Sequence, residues 1–290
     1  MRRAESVTRA GFLGVCAGAL LAAAPACGAI DWTFPGVVAA YARRLTDPAP
    51  FVRHDAAFVM PAASTIKLLI ALAALDEMER DGIGWGHRLV VRQSEIVGAS
   101  ETFGSDRGGQ PATLENLMHA MIAQSDNTAA NVLADWIGFA RVNAMAGRAG
   151  LRATRLRRHF MDFAARAAGI DNTTTARDMG VLAYGLANGT ASGFAGVSSR
   201  GCRRIVDVMS KQEDRDTIPA GIERRVPVAN KTGVLPGVRH DVAIVGLGAR
   251  DAYVVALLSC EITNYSAALV RLRRLAGAID AHDAPACSSS

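Results

Sequence analysis

Pro61-Ala62-Ala63-Ser64-Thr65-Ile66-Lys67 opens a run in which Ile66, Leu69, Ile70, Leu72, Leu75 and Met78 recur at helical spacing until Asp81-Gly82. The periodicity predicts a long buried helix over 64–78, with a hydroxyl in its first turn and Lys67 three residues later on the same face. A helix N-terminus carries unpaired N–H groups and partial positive charge, so the Ser64 amide can help bind an oxyanion formed at a carbonyl that Ser64 attacks. Lys67 can serve as the base only if burial and a nearby cation lower its pKa toward neutrality. Taken alone, the pattern reads equally well as a capping serine and a surface lysine.

Upstream, Val37 to Leu45 and Phe51 to Val59 read as two strands separated by Thr46-Asp47-Pro48. Downstream, a polar, glycine-rich stretch from Gly98 to Pro111 leads to Thr113, which caps a helix bearing Leu114, Leu117, Met118 and Met121. Another helix follows Ser125-Asp126-Asn127 and runs through Trp136, and further helices cover about 140–149, 174–187 and 196–212. Val226 to Thr232, Arg239 to Leu247 and Tyr253 to Ile262 are β-rich runs, and a last helix spans Tyr265 to Ile279. Two strands at the start and three at the end predict an α/β (α+β) fold: a five-stranded antiparallel sheet built from both chain ends and flanked by helices. Residues 36–63 and 215–280 form the sheet part of a single catalytic domain (27–290), and 64–214 form an all-helical insertion. The cleft between the two is the natural place for a site.

Two further motifs stand at that cleft. Ser125-Asp126-Asn127 lies in a loop entering a helix, where Ser125 can relay a proton to a leaving nitrogen and Asn127 can hold Lys67 or a substrate carbonyl. Asp126 is expected to brace the loop, and a serine cap is the plainer reading of this motif in isolation. Lys231-Thr232-Gly233 falls at the end of a strand, where Gly233 permits close approach and Lys231 with Thr232 can contact a carboxylate. The Val234 N–H can supply a second oxyanion donor. All three motifs together have a chance probability on the order of 10⁻⁴ or less.

Ser64-xx-Lys67, Ser125-Asp126-Asn127 and Lys231-Thr232-Gly233 resemble the signature motifs of class A β-lactamases and related penicillin-recognising serine hydrolases, in order and spacing over nearly the whole mature chain. The resemblance implies acyl transfer. Ser64 is then the nucleophile, Lys67 the proton acceptor and Ser125 the proton shuttle; Asn127 positions, and Lys231 and Thr232 anchor the substrate carboxylate. Arg239, on the next strand, is a second candidate carboxylate contact. The implied partner is a small β-lactam or a D-alanyl peptide, taken by a monomer that needs no cofactor.

The pattern breaks in one place. Class A enzymes carry a loop glutamate that activates the deacylating water, and residues 151 to 172 contain none. Asp162 is the nearest candidate carboxylate, with bracing of the neighbouring arginines as its other reading. A side chain one methylene shorter misplaces a base by about 1 Å, enough to cost about a hundredfold in rate. Acylation survives this departure, whereas turnover is put in question. A D-alanyl-D-alanine peptidase-like amidase and a non-hydrolysing β-lactam sensor are the alternatives.

Composition frames these readings. The 290 residues are half hydrophobic and carry a net charge of +5, which excludes a disordered chain. Of the 32 basic residues only Lys67, Lys211 and Lys231 are lysines, and two of the three fall in the motifs. Arginine stays protonated at any useful pH, so a chain that otherwise uses it keeps lysine where an amine must lose its proton. Arg2, Arg3 and Arg9 precede an uncharged run from Gly11 to Ile30 ending in small residues around Cys27, which reads as a secretory signal over 1–26. A retained anchor and lipidation at Cys27 are the lesser readings. Export predicts a periplasmic or secreted protein with no stable membrane insertion. Cys202, Cys260 and Cys287 make no disulfide framework and read as packing residues. The six histidines are scattered, and no CxxC suggests a metal. Arg152, Arg155, Arg157 and Arg158 cluster without interleaved aromatics, which favours a solvated loop over a nucleic-acid site.

Overall fold

The computed structural model describes residues 29–282. The predicted signal, Cys27, Cys287 and the serine tail lie outside them. In chain order the strands are β1 (Val37–Arg44), β2 (Val52–His54), β3 (Met60–Pro61), β4 (Arg88–Val90), β5 (Pro111–Thr113), β6 (Thr173–Thr174), β7 (Val228–Leu235), β8 (Val238–Val245) and β9 (Tyr253–Cys260). The helices are α1 (Lys67–Arg80), α2 (Leu114–Ala123), α3 (Asn127–Ile137), α4 (Phe139–Arg148), α5 (Phe163–Ala167), α6 (Ala176–Ser192), α7 (Ser199–Met209), α8 (Ile218–Gly221) and α9 (Tyr265–His282).

The sheet has the order β2-β1-β9-β8-β7, antiparallel throughout, so both chain ends build it as expected. Its central strands read as unbroken apolar runs because both faces are covered. Along β9, Val254, Ala256 and Leu258 join the core shared with the helical part, whereas Tyr253, Val255 and Leu257 pack with Leu272, Leu275 and Ile279 of α9. The period of two decides which core each side chain enters.

α1 is buried on nearly every face, from Lys67 through Leu75. A helix that is apolar all round belongs inside a protein. α2, α3, α4 and α7 all contact it. Burying each of its leucines contributes about 2 kcal/mol, which fixes the helix and whatever stands at its start.

The structure differs from the sequence reading at three edges. β2 stops at His54 because Asp55 takes a left-handed φ of 43° and the Phe58 N–H turns back to its carbonyl. The helix that carries Ser64 begins with a 3₁₀ turn, Ala63–Ile66, tightened by Thr65, whose hydroxyl donates to the Ala62 carbonyl at 2.6 Å. β7 runs on to Leu235, so Lys231-Thr232-Gly233 lies inside the strand and not at its end. Cys202 and Cys260 are free and buried, which agrees with a packing role.

Candidate active site

Four elements converge at one end of the sheet: the 3₁₀ turn before α1, the loop entering α3, the edge strand β7 and the loop 151–172. A cleft of about 440 Å³ lies among them, with Ser64, Asn127, Phe160, Val234 and Tyr265 on its walls. Ala63, just before Ser64, has φ 47°. A non-glycine residue held in this region costs about 1–3 kcal/mol, stored where the packing of α1 over-determines the backbone.

The close fit of β7 against this turn depends on Gly233. A Cβ there would stand 3.0 Å from the Ala63 Cβ and 3.1 Å from the Ser64 nitrogen. The motif alone assigns this glycine the task of making room for substrate. It also makes room for the serine turn itself, and so sets the distance between the Ser64 amide and β7.

Lys67 is fully buried. Its Nζ donates to the Ser125 carbonyl at 2.5 Å and to Asn127 Oδ1 at 2.7 Å, and lies 3.4 Å from Ser125 Oγ. In this resting geometry it is bonded to Ser125 and Asn127 and not to Ser64. Burial first, and the nearby Lys231 charge second, hold its pKa well below the ordinary lysine value, with Asp126 working against them. Burial and a neighbouring cation are the two influences that favour a neutral amine here.

Ser125 occupies the middle of the site with φ 61°. That strained turn aims its carbonyl at Lys67 while its hydroxyl accepts from Lys231 Nζ at 3.0 Å. Asp126 braces the loop as expected: Oδ1 caps α3 through the Ala129 N–H, and Oδ2 accepts from the Thr102 and Phe103 N–H groups. Lys231 also donates to the Thr232 carbonyl, and burial pushes its pKa down to about 7 against the pull of Asp241 and Asp214. Ser64, Lys67, Ser125, Asn127, Lys231, Thr232, Gly233 and Val234 therefore share one site.

Two predicted residues sit elsewhere. Asp162 is the N-cap of α5, its Oδ1 accepting from the Ala165 N–H at 2.9 Å, and it does not line the cleft. Helix capping uses the carboxylate that the sequence reading offered to a water. Arg239 is buried and held in a two-pronged pair with Asp214 at 2.7 and 2.8 Å, with Nε donating to Thr217. Its charge is matched by Asp214 before any substrate arrives.

The arginine cluster is not a uniformly solvated loop. Arg158 is buried against Asp171 at 2.7 Å and closes the loop 151–172, helped by Asn172, whose Oδ1 accepts the N–H groups of Arg157 and Arg158. Sequence reasoning also missed Asn131 and Phe160. Asn131 lies one helical turn after Asn127, a spacing that could have marked it as facing the same way. Its carboxamide pairs with both backbone groups of Phe160, at 2.8 and 3.2 Å. Phe160 in turn holds its ring centroid 4.6 Å from Lys67 Nζ.

The fold that carries this site has counterparts in known proteins. The profile described as the beta-lactamase enzyme family matches residues 29–282. The chain belongs to the beta-lactamase enzyme family. Among solved structures, a beta-lactamase from Sphaerobacter thermophilus is 23% identical, with a TM-score of 0.76 over 86% of this chain and 92% of that one. PBP-A is 24% identical, with a TM-score of 0.74 over 84% and 89%. An ancestral Gram-negative class A beta-lactamase is 22% identical, with a TM-score of 0.75 over 85% and 94%. At these identities the likeness establishes the fold. A comparison with curated proteins gives no match. Among the described residues no group of histidine, cysteine or carboxylate side chains could hold a metal ion, and no helix is long and apolar enough to cross a membrane.

Proposed function

We propose that this protein is a serine hydrolase of class A β-lactamase type, which opens the β-lactam amide through an acyl-enzyme on Ser64. The observation that carries the reading is the Ser125 hydroxyl standing between two buried lysines, 3.4 Å from Lys67 and 3.0 Å from Lys231. Neutral Lys67 accepts the Ser64 proton as Oγ bonds to the lactam carbonyl carbon. The Ser64 and Val234 N–H groups hold the oxyanion. Ser125 passes a proton to the leaving nitrogen as the C–N bond breaks, and Lys231 with Thr232 receives the substrate carboxylate. Water then cleaves the ester and Ser64 regains its proton.

A D-alanyl peptidase-like amidase or a β-lactam sensor is the second reading. It is favoured by the loop carboxylates, since Asp162 caps α5 and Asp171 pairs with Arg158. A point mutant of PBP-A has been captured as an acyl-enzyme complex with penicillin G, a precedent for such an ester on this fold. Export to the periplasm or medium, supported by the basic and then uncharged N-terminus, and a monomeric state complete the proposal.

Intact-mass spectrometry of the mature protein with benzylpenicillin, followed over time, tests it. A transient adduct with accumulating product supports the lactamase, and a persistent adduct supports the peptidase or sensor. Absence of both adduct and product would remove β-lactams from the reading.

A further inference from the structure

The loop 151–172 presents a hydrocarbon, not a carboxylate, to the buried base. The Asn131 carboxamide grips the Phe160 backbone from both sides, and Met161 follows with φ 65°. The chain therefore reverses directly after Phe160. The ring goes inward, only 7% exposed and 4.6 Å from Lys67 Nζ, while Asp162 leaves to cap α5. The neck closed by Arg158, Asp171 and Asn172 prevents the loop from swinging away. Phe160 and Ser64 line the same cleft.

We infer that Phe160 is a water-excluding residue that sets the lifetime of the Ser64 ester, filling the approach beside Lys67 that a hydrolytic water would use. The inference rests on the acyl-enzyme reading above. Release requires the water oxygen to bond to the ester carbonyl carbon and a base to take one water proton. The bond from the acyl carbon to Oγ then breaks, and Ser64 Oγ is reprotonated. A phenyl ring supplies neither a proton acceptor nor room for the water.

The test compares adduct lifetimes after benzylpenicillin in the wild-type chain and in Phe160→Ala, Phe160→Glu and Asn131→Ala, each checked for a cooperative thermal melt. Wild type should release its adduct more slowly than every one of these variants. Phe160→Ala should shorten the half-life about tenfold or more by admitting water, and Phe160→Glu by about a hundredfold or more by adding a base. Release from Phe160→Glu should fall as that carboxylate protonates, a pH profile that altered packing alone would not produce. Asn131→Ala loosens the ring without removing it and should also shorten the lifetime, which keeps the test alive if a Phe160 variant fails to fold. Unchanged lifetimes in the folded variants would overturn the inference. So would wild-type release as fast as that of Phe160→Glu, though the acyl-enzyme reading would survive that result. No adduct and no product in any protein would remove both.

Discussion

Ser125 Oγ accepts a hydrogen bond from Lys231 Nζ at 3.0 Å, joining the helical part of the molecule to the edge of the sheet at the centre of the cleft. The two residues are 106 positions apart, and each depends on a different half of the fold for its place. Both lysines are buried, and the Lys231 charge discourages an ammonium at Lys67. A substrate carboxylate arriving at Lys231 would favour its charged form and so further favour a neutral Lys67.

Lys67→Arg should abolish acylation while the protein still folds. The guanidinium cannot surrender its proton at any useful pH. Intact mass after benzylpenicillin should show no adduct, with the far-ultraviolet circular dichroism retained. Acylation persisting in the variant would mean that the proton goes elsewhere.

Stability should rise between neutral and alkaline pH. In the unfolded chain both lysines bind a proton up to about pH 10.4. In the folded chain Lys231 releases it near 7, and Lys67 also well below its ordinary value. The unfolded state therefore binds more protons across this window, and stability increases with pH by up to about 1.4 kcal/mol per unit for each group. Denaturant unfolding at pH 7 and pH 9 measures it, and equal stability at the two would show that the buried amines stay charged. Lys67→Met should flatten part of the rise.

Gly233→Ala should slow acylation by about a factor of ten to a hundred with little loss of global structure. The added methyl would press on Ala63 and on the Ser64 amide, which must move by a few tenths of an ångström. Displacing an oxyanion donor weakens charge stabilisation in the transition state. The second-order rate of adduct formation reads this directly.

Arg239→Gln should cost about 2–3 kcal/mol, because it strands Asp214 beside β7 and leaves Thr217 without its donor. Weaker capture of carboxylate-bearing substrates should follow as a secondary effect. If Arg239 instead contacts substrate directly, affinity falls while the denaturation midpoint stays put. Measuring both separates bracing from binding.

The sheet, the central helix and the three motifs are legible because each rests on short-range pattern. A β-rich run bounded by turn residues places β9, helical periodicity places α1, and Thr113 caps α2 as its residue type predicts, its hydroxyl accepting from the Asn116 N–H. What sequence cannot decide is competition between partners. Asp162 has two uses on paper and takes a third, at a helix cap. Arg239 does fall next to β7, yet its partner Asp214 is distant in sequence and carries no motif. Phe160 gives no signal at all, because a lone aromatic between Arg158-His159 and Asp162 can face either way until a backbone reversal at Met161 fixes where it points.

The pairing of β1 with β9 carries a consequence for synthesis. Val37 opposes Cys260 and Arg44 opposes Tyr253, so one of the first strands made finds its longest neighbour only when one of the last has emerged. Contacts this remote in sequence close slowly. The serine turn leans on β7 and β8, which are themselves late. Competence therefore arrives with the end of translation, and a nascent or truncated chain lacking β9 would contain every signature residue and still be inert. Under the export proposed above such lateness would be useful, since a chain that has not yet folded is the form that an export channel can thread.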